Sequence, residues 1–237
     1  MKKKFLFIIL STFLLSCSKN ETAPENTIPT LPESENDESV KYLALGDSYT
    51  IGQSVDASLR FPTLLIDSLR NNGISCYNPK IIATTGWTTS NLLSAINSAA
   101  LPDTFNLVSL LIGVNNQYQN LSTEEYTLQF EQLLQLAIQK TAGDTTNVFV
   151  LSIPDYGSTP FGAANAAEIT LEINQFNAIN QQITEQYGVT YFNITDISRL
   201  AENDPTLTAY DGLHPSGKMY KLWIDLIYEN IKIKVTD

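Results

Sequence analysis

The stretch Phe105-Asn106-Leu107-Val108-Ser109-Leu110-Leu111-Ile112 decides the fold. A nearly continuous apolar run of this length reads as a strand buried on both faces, which occurs where helices cover both sides of a parallel sheet. The flanking sequence keeps the same rhythm in both directions. Upstream, Lys41 to Leu45 reads as a strand, and FPTLLIDSLRNNG (61–73) as a helix with Pro62 in its opening turn and Gly73 at its C-terminal cap. Lys80 to Ala83 is the next strand and SNLLSAINSAA (90–100) the next helix. Downstream, Ser122-Thr123-Glu124-Glu125 has the form of a capping box and opens a helix whose Tyr126, Phe130, Leu133, Leu134, Ala137 and Ile138 share one stripe. NVFVLSI (147–153) is a fourth strand, followed by a helix that carries Ile169, Ile173, Phe176, Ile183 and Tyr187 and ends at Gly188. VTYFNI (189–194) is the fifth strand, and a last helix from about Ser216 is expected to pack Met219, Trp223, Leu226 and Ile227. Five β-α units joined by right-handed crossovers predict an α/β fold, a three-layer α/β/α sandwich with a five-stranded parallel sheet. Function is then expected in the loops at the C-terminal ends of the strands.

Composition agrees with one globular domain. Of 237 residues, 43% are hydrophobic and 10% aromatic, enough to bury a core without disulfides. Fourteen Lys+Arg against 25 Asp+Glu leave a net charge of -11, which excludes nucleic acid as a partner because phosphate binding needs clustered basic side chains. One histidine and two cysteines do not supply the four ligands of a closed structural zinc site, and no metal is expected.

The N-terminus has a different character. Lys2, Lys3 and Lys4 precede an apolar run from Phe5 to Leu15, too short to span a bilayer and fitting a secretory signal. It ends Leu14-Leu15-Ser16-Cys17, which resembles the lipobox of bacterial lipoproteins, where cleavage precedes an acylated cysteine. Residues 1–16 are therefore expected to be a signal peptide, with Cys17 the lipidation site. Residues 17–39, rich in Glu, Asn, Pro, Thr and Ser, are expected to form a disordered tether reaching on the order of 25 Å. The folded domain is expected over 40–237. The localisation this implies is the bacterial cell envelope, at the outer membrane, with the membrane as partner only through the lipid on Cys17. With Cys17 acylated, Cys76 has no intrachain disulfide partner and is expected to act as a small buried hydrophobe.

The strand-end loops carry the chemistry. The first reads Gly46-Asp47-Ser48-Tyr49-Thr50, placing a serine where a nucleophile is useful, although these are also ordinary turn residues. The last reads Asp211-Gly212-Leu213-His214-Pro215 and holds the only histidine. A serine hydroxyl needs an adjacent base to attack an acyl carbon near neutral pH, and the imidazole in turn needs an acceptor that fixes its tautomer. His214 is the sole candidate base, and Asp211 reaches it from the same turn. An oxyanion also needs preorganised donors. Gly86 can bring a bare N–H close to substrate and Asn115 offers a carboxamide, or each can merely serve its turn.

The blocks ALGDSYTIG, TTGWTT, LIGVNNQ and DGLHP, taken together and in this order, resemble the SGNH hydrolases, also called the GDSL esterase/lipase superfamily. The resemblance covers about Tyr42 to Pro215. It implies a flavodoxin-like fold and a serine ester hydrolase with no cofactor, in which Ser48, Asp211 and His214 are catalytic. The oxyanion hole it implies is the Ser48 N–H, the Gly86 N–H and the Asn115 side chain. Asn116 stands where the family more often has aspartate, which bears on the network behind Asn115. An α/β-hydrolase fits less well, because its nucleophile elbow is G-x-S-x-G and this one is G-D-S-Y-T. The family's range implies a carboxylesterase or acylhydrolase, including a carbohydrate O-deacetylase. A lysophospholipase or thioesterase-type lipase is the alternative, as is a non-catalytic glycan-binding lipoprotein. The expected substrate is a small or polysaccharide-borne ester, met by a monomer. Tyr49, Trp87, Asn116 and Asp155 are candidate substrate contacts, with packing or turn roles as the other reading.

Overall fold

Strands β1 (Tyr42–Gly46), β2 (Lys80–Ala83), β3 (Leu107–Leu111), β4 (Val148–Leu151) and β5 (Thr190–Phe192) form one parallel sheet in the order β2-β1-β3-β4-β5. This is seen in a computed structural model, which describes residues 39–102 and 104–236. The expected signal peptide, Cys17 and nearly all of the tether lie outside the described residues. Every residue of β1, β3 and β4 is buried, while the edge strands β2 and β5 are partly open. The nearly continuous apolar run of 105–112 thus supplies the middle strand, paired with β1 from Tyr42 opposite Leu107 to Gly46 opposite Leu111. Its one hydroxyl, Ser109 Oγ, is matched to Tyr42 Oη at 2.7 Å, so the buried polar group is satisfied.

In chain order the helices are α1 (Ser48–Ile51), α2 (Phe61–Asn71), α3 (Thr89–Ser98), α4 (Val114–Tyr118), α5 (Thr123–Gln139), α6 (Ala166–Gln186), α7 (Thr195–Arg199) and α8 (Gly217–Thr236). The five long ones are those expected from periodicity. The short α1, α4 and α7 were not, because four or five residues carry no period to read. At α5 the Ser122 half of the expected box forms, Ser122 Oγ accepting the Glu125 N–H at 3.2 Å while the Glu125 carboxylate accepts from Gln129 Nε2 instead, and Glu124 and Glu125 complement the helix dipole.

Helices α2 and α8 pack together on one face of the sheet, and α3, α5 and α6 run side by side on the other. Phe61, Tyr220 and Trp223 interlock between α2 and α8, with the Tyr220 and Trp223 rings 4.8 Å apart and edge-on. Truncating a fully buried ring such as Trp223 costs about 3–5 kcal/mol. One core assignment needs correction. Leu226 is exposed, because the stripe of α8 is Met219, Tyr220, Trp223, Ile224, Ile227 and Ile231, and Leu226 lies roughly 100° from its centre at 3.6 residues per turn.

The connections leaving β1 (through α2) and leaving β3 (through α5) run to opposite sides of the sheet, so a crevice opens at the C-terminal ends of these two neighbours. The loops after β1, β2 and β3 converge there, and the loop before α8 closes over it.

Candidate active site

Gly46 ends β1, and the chain turns at once into α1. Asp47 caps that helix, its Oδ1 accepting the Tyr49 N–H at 3.0 Å, and Ser48 becomes the first helical residue. Ser48 lines a cavity of about 200 Å³ together with Tyr49, Gly86, Asn115 and His214. Neither its hydroxyl nor its N–H is bonded to another described residue. Asp47 itself is fully buried, and burial pushes its carboxyl up to about 7, against the pull of the Tyr49 N–H.

The loop before α8 is held as a tight turn. Thr208 and Pro215 form an antiparallel bridge, Ala209 N–H donates to the His214 carbonyl at 2.7 Å, and Ser216 N–H donates to the Leu207 carbonyl at 2.8 Å. Inside it, His214 Nδ1 lies 2.7 Å from Asp211 Oδ2. Asp211 Oδ1 accepts the N–H groups of Leu213 and His214, each at 3.0 Å, and Ser54 Oγ donates to Oδ2 at 2.5 Å. Burial raises the Asp211 carboxyl, but the hydrogen bonds from Ser54, His214 and the two backbone groups outweigh it and hold the acid well below the usual carboxylate range. The His214 ring stacks obliquely on Tyr49, centroids 5.7 Å apart. Tyr49 is in turn tied to α8 by the Tyr220 hydroxyl, which donates to its carbonyl at 2.9 Å.

Gly86 follows β2 with φ +84° and has open space where a Cβ would stand. Its N–H donates to no described residue. Asn115, in α4, donates one amide hydrogen to the Trp87 carbonyl at 2.9 Å, which fixes the side chain at the cavity wall beside Gly86. Donors from three loops thus surround Ser48, an arrangement able to hold a developing oxyanion.

Three expected substrate contacts lie elsewhere. Asn116 is buried and spends both ends of its amide on Thr89, accepting its N–H at 3.0 Å and donating to its hydroxyl at 2.8 Å. It pins the start of α3 to α4. Asp155 is fully buried, accepting from Gly157 N–H, Thr170 Oγ1 and Arg199 Nε, so it organises the loop after β4. The Trp87 ring packs half-buried on the core, and its part at the site is the carbonyl that holds Asn115. Tyr49 alone of the four lines the cavity. The loop 153–162 after the fourth strand, which the sequence places beside the site as a pocket wall, contributes Tyr156 and Phe161 to the lining; sequence reading missed Thr85, Val114, Tyr118 and Leu213, which line it too, as well as Ser54 behind Asp211. An aromatic residue close behind a strand-end loop was the available signal for Tyr118. Nothing marks Ser54 out.

Cys76 is a half-buried free thiol against the core, its ionisation pushed up by burial. A thiol in that setting is a poor nucleophile.

No curated protein matches the chain significantly. Solved structures do, at low identity. A member of the lipolytic G-D-S-L family from Veillonella parvula superposes with TM-score 0.66 at 15% identity, over 81% of this chain and 97% of that one. A lipase/acylhydrolase from Enterococcus faecalis gives 0.61 at 21% identity, over 82% and 96%. An acetylxylan esterase from Geobacillus stearothermophilus gives 0.62 at 16% identity, over 84% and 94%. These likenesses are of fold. The family is shown by sequence: the profile of the GDSL-like lipase/acylhydrolase family matches residues 44–222, spanning Ser48 to His214 and the greater part of the chain. With that match laid over strand-end loops that gather a serine, a histidine–aspartate pair and free N–H donors, the chain belongs to the GDSL-like lipase/acylhydrolase family.

Proposed function

We propose that the protein is a serine ester hydrolase for short acyl groups, acetyl foremost, carried on a small or polysaccharide alcohol. Ser48 Oγ attacks the ester carbonyl carbon as His214 Nε2 takes its proton. Asp211, ionised and bonded to Nδ1, keeps Nε2 free to accept and stabilises the imidazolium. The N–H groups of Ser48 and Gly86 and the second amide hydrogen of Asn115 bind the oxyanion, an interaction worth roughly 10²–10³ in rate per donor in sites of this kind. Collapse expels the alcohol, which takes the proton from His214. Water then repeats the sequence on the acyl-serine and releases the acid. One observation carries the reading: His214 is 2.7 Å from Asp211 and shares a cavity with Ser48, Gly86 and Asn115.

The preference for a short acyl group rests on size. A cavity of about 200 Å³ is smaller than the roughly 300–1,000 Å³ of sites for drug-sized ligands, and its walls at Val114 and Leu213 are apolar. The similarity to an acetylxylan esterase points to acetyl as the group to try first. Export and acylation at Cys17 complete the proposal, supported by the lysine-led apolar run and the cysteine that ends it.

The test compares hydrolysis of p-nitrophenyl acetate and p-nitrophenyl octanoate by the purified full-length protein and by Ser48→Ala. Activity lost in the variant, with acetate the better substrate, is the expected result. Octanoate as the better substrate would replace the short-acyl reading with a lipase. A folded wild type inactive on both would favour a glycan-binding role.

A further inference from the structure

A second cavity adjoins the first. Tyr118, Tyr156 and Phe161 line both, their rings pairwise 6.3 Å apart, so that an aromatic partition separates the two spaces. Tyr118 and Phe161 are 56% and 52% exposed, and among the described residues the only rings they meet are each other and Tyr156. The second space, about 360 Å³, is lined on its far side by polar side chains: Gln117, Asn120, Asn165, Glu168 and Glu172. Gln117 is 6% exposed and donates through Nε2 to Glu172 at 2.6 Å, which leaves its Oε1 buried with no hydrogen-bond partner. Among the described residues it is one of six buried side-chain atoms without a partner, and the only one on a residue that lines this cavity.

We propose that this second cavity binds the alcohol portion of the ester and that the alcohol is a glycosyl unit. The inference rests on Ser48 being the nucleophile, since that places the acyl group in the small apolar cavity and sends the alcohol across the partition. Sugar hydroxyls are donor and acceptor at once. They can donate to Gln117 Oε1 and to the carboxylates of Glu168 and Glu172, and accept from the amides of Asn120 and Asn165. The C–H face of the ring suits the exposed faces of Tyr118 and Phe161. A choline ester would also meet aromatic rings and carboxylates, but a trimethylammonium group has no hydrogen to give, and Gln117 Oε1 would stay unpaired.

The experiment measures kcat/KM of the full-length protein on mono-O-acetylated methyl glycosides of glucose and xylose, on p-nitrophenyl acetate and on acetylcholine. Gln117→Met, Asn165→Ala and Glu168→Ala should each lower the ratio of glycoside to nitrophenyl activity, by about tenfold where one hydrogen bond is lost. Asn165 and Glu168 are exposed, so those variants carry the test if Gln117→Met fails to fold. An unchanged ratio in the folded variants, or acetylcholine turned over better than the acetylated glycosides, overturns the proposal. Should the wild type cleave none of these esters, the nucleophile reading falls and the cavity is judged by calorimetric titration with the unacetylated methyl glycosides. Saturable binding weakened by Asn165→Ala then supports a glycosyl site, and no binding removes it.

Discussion

Asp211 uses all the acceptor capacity a carboxylate has. Two backbone N–H groups fill Oδ1, while Ser54 and His214 share Oδ2. Asp211→Asn keeps the first pair and loses the second, because an amide nitrogen cannot accept. The expected outcome is a loss of roughly 10³–10⁴ in kcat with little change in melting temperature, and an Asn variant with near wild-type turnover would remove Asp211 from the mechanism. Ser54 holds its hydroxyl in place at a cost, since it is a non-glycine residue with φ +67°. Ser54→Gly should relieve that strain, so it should be more stable than Ser54→Ala by about 1 kcal/mol while both slow turnover alike. If Ser54→Gly turns over faster than Ser54→Ala, the hydroxyl is not what positions Asp211. Asp47 sets a pH dependence of its own. Its carboxyl sits at about 7 when folded against the usual 3.8, so below 3.8 both states hold the proton and there is no penalty. Between 3.8 and 7 only the folded state holds it, and stability falls as pH rises. Above 7 the full cost, on the order of 4 kcal/mol, is present. Asp47→Asn keeps the cap acceptor for Tyr49 and should gain on wild type in melting temperature from pH 4.5 to pH 8. A gap independent of pH would place the proton elsewhere.

At the scale of the element, the joint between β1 and α1 permits no added atom. A Cβ on Gly46 would stand 2.3 Å from the Leu111 carbonyl of β3 and 2.2 Å from Thr50 Oγ1. Backbone of a central strand cannot give way, so Gly46→Ala should cost about 3 kcal/mol or more and displace Ser48. Gly188→Ala, which meets nothing within 4 Å, should lose only the about 1–2 kcal/mol of its positive φ. Chemical denaturation compares the two, and equal losses would mean that the joint is not close-packed. The order of elements was legible in the sequence because burial on two faces writes a nearly continuous apolar run, as in 105–112, and amphipathic helices write a stripe. Asp211 and His214 were legible because they lie three residues apart in one turn. For Asn116 and Asp155 the sequence left packing or turn roles beside substrate contact and could not choose between them, for the opposite reason. Their partners are Thr89, Thr170 and Arg199, distant in sequence, and only the packing of α3, α6 and α7 turns these polar side chains inward. The aromatic partition combines residues from the loops after β3 and β4, so no single window of sequence displays it.

Across the whole molecule, charge bears on how the protein meets a membrane. Cleavage before Cys17 would remove three lysines and no acid, leaving 11 basic residues against 25 acidic ones and a net charge of -14. Anionic headgroups repel such a surface, and the polybasic segment that supports a single acyl chain elsewhere is missing. If the proposed lipoprotein reading holds, attachment rests on acyl chains alone, and its dependence on salt should differ from that of an electrostatically adsorbed protein. Surface attraction is screened within about 8–10 Å at physiological ionic strength and collapses further at 1 M salt. Burial of acyl methylenes is strengthened, if anything, by high salt. Membranes prepared from an expressing bacterium and washed in 1 M NaCl should therefore retain the protein, and detergent should release it. Cys17→Ala should move it to the soluble fraction with esterase activity intact, because Cys17 lies well before the domain that begins near residue 40. Release of the wild type by salt, or retention of Cys17→Ala in the washed membranes, would show that something other than a lipid on this cysteine holds the protein there.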